Sequence, residues 1–258
     1  MQTILTMTEP NIFQLIELLY KTKDGQKQKI YDDISTLLQK QPDAAKQKDE
    51  NGLIPLHSAI FKRSPFEVVD ALLEVWPDAA KEKNSVGWTP LHACLFRPAP
   101  DVVAALLKAW PEAVKEKDNI GYTPLQMSFS LKASFEVTPL LLNAWLGYKE
   151  NRTKWAIMYF RVYTRFCTED VEVLLSRLFD LYNSNTHTLP PKEIMDYFIH
   201  IEMWNAVTLV LDRNPAVIKT MGLDTKVMAD LLSTVGRCCS LNTMWEVLCN
   251  EQDLLEGV

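Results

Sequence analysis

Apolar residues along this chain fall in short stripes of helical period, separated by polar turns. The clearest stripe is Val68, Val69, Leu72 and Leu73, and it recurs as Val102, Val103, Leu106 and Leu107. Spacing of i, i+1, i+4, i+5 covers one face of a helix, so these are predicted core positions of two equivalent helices. Before each stripe the pattern breaks, at Lys62-Arg-Ser-Pro65, Arg97-Pro-Ala-Pro100 and Lys132-Ala-Ser134. After it stand Trp76, Trp110 and Trp145, with Pro77 and Pro111 positioned to stop two of the helices. Further amphipathic pairs are Asn11 to Tyr20 with Lys29 to Leu38, Thr153 to Tyr163 with Glu169 to Leu181, Lys192 to Ile199 with Met203 to Leu211, and Thr225 to Val235 with Leu241 to Cys249. The whole reads as an all-α chain of about seven helix pairs. Pro139 falls inside one predicted second helix, where a kink or a shortened helix is expected.

Between the stripes one phrase is written three times. Pro42-Asp-Ala-Ala-Lys leads to Gly52-Leu-Ile-Pro-Leu-His57, Pro77-Asp-Ala-Ala-Lys to Gly87-Trp-Thr-Pro-Leu-His92, and Pro111-Glu-Ala-Val-Lys to Gly121-Tyr-Thr-Pro-Leu-Gln126. The glycines stand 35 and then 34 residues apart, a period that marks a repeat architecture. Each glycine supplies the positive φ of a tight turn. Thr89 and Thr123 are predicted N-caps, Pro90 and Pro124 occupy first helical positions where the missing N–H is harmless, and the residue three past the threonine can bond back. His57 and His92 are therefore read as structural. Ile54 cannot cap, which leaves its helix weaker. Two echoes extend the pattern: Lys40-Gln-Pro42 and Arg213-Asn-Pro-Ala-Val217 resemble the Trp-Pro stops.

The Gly-x-Thr-Pro-Leu-His hexad at 87 to 92, with its variants at 52 to 57 and 121 to 126, resembles the ankyrin repeat. The Pro-Asp-Ala-Ala-Lys-Glu-Lys form of the turn is similar to ankyrin arrays abundant in diatoms and related algae. The resemblance implies an ankyrin-type helical-repeat solenoid with short finger turns, degenerate at both ends. Residues 1–41 then form an N-terminal capping repeat, 42–145 three recognisable repeats, and 146–258 degenerate pairs and a C-terminal cap continuous with the same solenoid.

Composition narrows the chemistry. With 27 basic and 33 acidic residues the net charge is −6, which argues against nonspecific attraction to nucleic acid. No apolar run approaches the roughly 20 residues needed to span a bilayer, and the first residues lack the pattern of a secretory signal. The odd set Cys94, Cys167, Cys238, Cys239 and Cys249 fits a reducing compartment, so an intracellular, cytoplasmic protein is expected. Phosphate-loop, nucleophile-elbow and zincin motifs are missing. Cys238-Cys239 with Cys249 and His200 lack the spacer a zinc site uses. No catalytic residue, metal or cofactor is assigned, and the expected activity is not enzymatic.

Ankyrin arrays bind through finger tips and the concave face of the first helices. Carried onto this chain, that face comprises Leu53, Phe61, Lys62, Trp88, Phe96, Arg97, Tyr122 and Met127. Aromatic residues and Arg are enriched in binding hot spots, so the expected function is a protein–protein interaction scaffold, or a subunit of a larger assembly, with another protein as partner and no small-molecule substrate. The alternative is a nucleic-acid or membrane-surface binder acting through 149–166, where Arg152, Lys154, Arg161 and Arg165 alternate with aromatics and no acid occurs between 151 and 168. The competing explanation for that segment is a helix that refills the core with bulky groups while its arginines stay in water.

Overall fold

Three helix starts among the described residues are set by reciprocal side-chain caps. The Thr89 hydroxyl accepts from the His92 amide, the His92 ring returns a bond to the Thr89 amide, and Pro90 opens the helix. Thr123 and Gln126 form the same reciprocal pair, as do Asn11 and Gln14. Such pairs satisfy donors that a helix's first turn leaves unused. Ile54 has no such bond.

The computed structural model describes residues 11–183 and 189–220, with Leu231 and Ser233. Every regular element among them is helical. Of the expected helix pairs, the last, Thr225 to Val235 with Leu241 to Cys249, lies outside the described residues apart from those two positions. The chain divides into two compact bodies, Met1–Met127 and Ser128–Val258.

In the first body, α1 (Ile12–Lys21) and α2 (Lys27–Lys40) are followed by α3 (Pro55–Phe61) and α4 (Phe66–Val75), then by α5 (Pro90–Cys94) and α6 (Pro100–Ala109). First helices touch first helices, α1 on α3 and α3 on α5; second helices touch second helices, α2 on α4 and α4 on α6. Between them most of the predicted stripe is buried, with Val68, Val69, Leu72 and Leu73 joined by Val102, Val103 and Leu106, while Leu107 is only partly buried. Polar residues on the opposite side of each helix stay in water, as an amphipathic helix on a core requires.

Second helices end in one repeated way. Gln41, Trp76 and Trp110 leave the helix at φ near −140° (−135°, −143° and −149°), each amide still bonded to a carbonyl four residues back. The proline that follows starts a single 3₁₀ turn whose third residue, Ala44, Ala79 or Ala113, is buried. First helices have their own stop. Arg63 sits at φ 51°, and the amide of Ser64 reaches back to Ala59 O while that of Arg63 reaches Ile60 O, a left-handed cap built without glycine.

The second body shares these stops. After α8 (Thr138–Leu146), α9 (Lys154–Met158) and α10 (Glu169–Asp180), the pair α11 (Pro191–His200) and α12 (Trp204–Arg213) turns through Glu202 at φ 55°. It ends on Asn214 at φ −139°, followed by the Pro215 3₁₀ turn and buried Val217. The Asn-Pro-Ala-Val echo thus has the same local geometry as the Trp-Pro stops. Pro139 takes the first turn of α8 and shortens it at its start, because a proline is tolerated there and nowhere deeper. Trp145 differs from Trp76 and Trp110: α8 runs through it to Leu146 and ends at Gly147.

The three hairpin glycines differ in what surrounds them. Gly52, Gly87 and Gly121 have φ of 70°, 80° and 92°, but a Cβ at Gly87 would stand 2.7 Å from the Asn119 amide nitrogen, whereas at Gly121 it would meet open space. Both Gly→Ala changes cost the left-handed penalty of about 1–2 kcal/mol. Gly87→Ala must also push the next hairpin away, so chemical denaturation should show it clearly the more destabilised of the two.

Candidate functional site

The hairpins that carry Leu53, Trp88 and Tyr122 are held by a device the repeat phrase conceals. Three residues before each glycine stands Asp49, Asn84 or Asp118, and its Oδ1 accepts two amides, those of residues i+2 and i+4, at 2.8–3.1 Å. The same residue's backbone pairs with i+4, closing a tight loop. Consecutive hairpins are then joined edge to edge, Ser85 N donating to Asn51 O and Asn119 N to Val86 O. The Asn119 amide group adds a bond to Ser85 O, and Lys83 Nζ one to Lys117 O.

The histidines complete the link. His57 Nε2 lies 3.0 Å from Trp88 O, and His92 Nε2 lies 3.1 Å from Tyr122 O. A carbonyl only accepts, so Nε2 carries the proton in both rings and Nδ1 is left as an acceptor. In His92 that acceptor takes the Thr89 hydroxyl at 2.9 Å. In His57 it is buried without a partner, because Ile54 stands where the hydroxyl would be. Both histidines therefore hold the next hairpin, and His92 also caps its own helix.

Burial pushes both imidazoles down, His57 to about 4 from its ordinary 6.5, against a smaller opposing pull from the carbonyl bond. Cys94 is buried, its thiol donating to Leu91 O, and burial drives its pKa up; Cys167 is raised to about 11 by burial. Neither is an activated nucleophile. Cys238, Cys239 and Cys249 lie outside the described residues. Among the described residues no cluster of His, Cys, Asp and Glu is placed to hold a metal ion.

On the expected face, Phe61, Trp88 and Phe96 come together. The Trp88 ring lies 6.5 Å from Phe61 and 4.7 Å from Phe96, and its Nε1 donates to Asp118 Oδ2 at 3.3 Å. Phe96 remains 44% exposed, and beside it Arg97 is exposed with no ion-pair partner among the described residues. Arg97, Arg63 and the buried, unpartnered hydroxyl of Ser64 border a pocket of about 350 Å³. Tyr122 is exposed and apart from the ring trio. Leu53 and Lys62 line an open groove of about 840 Å³ against α1, where Lys62 pairs with Glu17 and lies 5.2 Å from the Tyr20 ring.

Two expected site residues are corrected. Met127 is only 9% exposed: in α7 (Pro124–Ser130) Leu125, Met127, Ser128 and Phe129 are all buried, and its repeat equivalent Ala93 is buried too. Arg152 is no part of an exposed basic face. Its Nε donates to Leu146 O at 2.7 Å, its Nη1 pairs with Asp212 at 3.3 Å, and its own carbonyl accepts from the Tyr182 hydroxyl. Lys154, Arg161 and Arg165 are exposed, while Ile157 and Phe160 from the same segment fill the core, Phe160 against Phe129 and Trp145. No helix among the described residues is long and apolar enough to cross a membrane. No family model matches the chain, and no curated protein matches it significantly.

Two stability measurements follow from the histidine geometry. Ile54→Thr should restore both the cap and the partner of His57 Nδ1, raising the unfolding free energy by about 1 kcal/mol. The pH dependence has a fixed sign. Both rings are held neutral in the fold and protonate freely when unfolded, so the unfolded chain binds more protons between pH 6.5 and about 4. Stability must fall as pH drops through that window, with His57 alone contributing a loss of about 2 kcal/mol by pH 5. Urea midpoints taken from pH 7 to pH 5 should drop, and the drop should shrink in His57→Gln/His92→Gln.

Proposed function

We propose that this chain is an ankyrin-type repeat array, with repeats at 42–145 and degenerate units on either side, whose role is to hold another protein rather than to catalyse a reaction. The supporting observation is the Phe61, Trp88 and Phe96 trio with exposed Arg97 at its edge. A folded chain gains little by leaving a large ring in water beside two others. The same cluster on a rigid backbone is a preorganised anchor, and aromatic rings with Arg are what interface centres use. Hairpins cross-bonded through backbone, Asn119 and the histidines fix where those rings stand.

The chemistry of the expected partner surface follows. It offers an apolar side chain to Phe96 and Trp88, and an acidic group to Arg97 and Arg63 at the neighbouring pocket, two cations without an ion-pair partner among the described residues. Tyr122 and Leu53 lie on the flanking hairpins and extend the contact.

Trp88 is hydrogen-bonded and half-buried, so the informative changes are at its exposed neighbours. With partners identified by cross-linking in extract of the source cells, Phe96→Ser and Arg97→Glu should each weaken capture of the same partner by about tenfold, the loss of one hot-spot residue. Arg97→Glu should keep the wild-type unfolding midpoint, and Phe96→Ser, which loses the ring contact with Trp88, should stay folded with a modestly lower one. An unchanged set of captured proteins in the double variant would remove this face from consideration.

A further inference from the structure

The 154–166 segment carries a surface that the docking face does not use. α9 continues into 3₁₀ turns over Tyr159–Val162 and Thr164–Phe166. Trp155, Tyr159, Val162 and Phe166, at i, i+4, i+7 and i+11, are 88%, 52%, 53% and 41% exposed, while Ile157 and Phe160 on the other side are 0% and 3% exposed. The Trp155 side chain has neither a hydrogen bond nor a ring partner among the described residues. Core refilling accounts for Ile157 and Phe160, and leaves the outward stripe without an explanation.

The charge beside the stripe identifies what would cover it. Lys154, Arg161 and Arg165, each one position before a stripe residue or adjoining it, are exposed, and no acid occurs from 151 to 168. Arg165 lies 4.7 Å from the ring of Phe166, a stripe residue, while Arg161 lies 5.2 Å from the buried Phe179 ring of α10, and both remain exposed. We infer that this face docks on an anionic lipid surface, with Trp155 and Tyr159 at the level of the headgroups and the cations on headgroup phosphates. Trp and Tyr prefer that depth because one end of each ring is apolar and the other polar. Basic residues next to buried apolar ones are the composition of interfacial binding elements. Single-stranded nucleic acid fits less well: it needs a series of open π faces, and here Val162 has none and Arg165 occupies that of Phe166. Glu150 on one side and Glu169, Asp170 and Glu172 on the other bound the basic segment. Attachment therefore depends on ring insertion as much as on charge, and it requires both.

The test uses the full chain and sedimentation with vesicles of phosphatidylcholine alone or with about 30% phosphatidylserine. Wild type should sediment with the anionic vesicles and not with the neutral ones. Trp155→Ser/Tyr159→Ser and Lys154→Glu/Arg165→Glu should each lower the partition coefficient by about tenfold or more, and Trp155→Phe should retain most of it. Because Trp155 is so exposed, far-UV circular dichroism of the serine variant should match wild type. Failure to bind anionic vesicles, or binding unaffected by Trp155→Ser, overturns the inference. So does capture of oligothymidylate or RNA without vesicle binding, and so does self-association abolished by the same change. None of these results bears on Phe96 or Arg97, so the inference and the proposed function stand or fall separately.

Discussion

A neutral imidazole donating its one N–H to a backbone carbonyl of the next hairpin is the constraint on which the hairpin row of the first body depends. Every polar atom of the His92 link is paired only if the ring is uncharged, if its other nitrogen faces a hydroxyl, and if the hairpin ahead presents its carbonyl. Each condition is met by a named residue: burial keeps the ring neutral, Thr89 supplies the hydroxyl, and Asp118 ties the hairpin. Buried polar groups of this sort stabilise when every member is satisfied and cost stability when one is not. His57 illustrates the second case, with Ile54 in place of the threonine.

From that link follows the period of the sequence. The histidine of one unit must meet the carbonyl of the residue after the next glycine, 31 residues on for His57 and 30 for His92. The bond Ser85 N to Asn51 O and its equivalent at Asn119 hold the hairpins edge to edge, and Gly87 has no side chain because the next hairpin's backbone passes where a Cβ would be. Rings attached to such hairpins and to the helices behind them, Phe61, Trp88 and Phe96 among them, are held in place by the fold itself, and under the proposed function that preplacement would limit the freedom lost on binding.

Local features were legible in the residues because local chemistry decides them. Threonine before proline caps a helix, glycine turns a hairpin, and valines and leucines at helical spacing go inside; each is settled within about five residues of chain. Interactions across longer separations were not legible. Asp49, Asn84 and Asp118 drew no reading from the sequence, though their fixed place three before each glycine was the available signal. Arg152 read as one more cation in a basic run, and only its meeting with Asp212, 60 residues away, makes it a buried strut. Met127 aligned with a surface position, but its unit's first helix is enclosed on several sides. The exposure of Trp155 and its stripe is likewise invisible in sequence, since the same spacing describes a helix face turned inward or outward.

The forward histidine bond is tested most directly by amide hydrogen exchange in His92→Glu. A carboxylate three residues past the threonine still accepts from the Thr89 amide, as Gln126 Oε1 accepts from that of Thr123, but it has no donor for Tyr122 O, so this change removes the link to the next hairpin while leaving its own helix start capped. If the link governs the hairpin ahead, the amides of Ile120 and Tyr122 should lose protection, some thirty residues from the substitution, while those of Asn51 and Leu53 keep theirs. Equal protection at all four amides in the variant and the wild type would contradict the account.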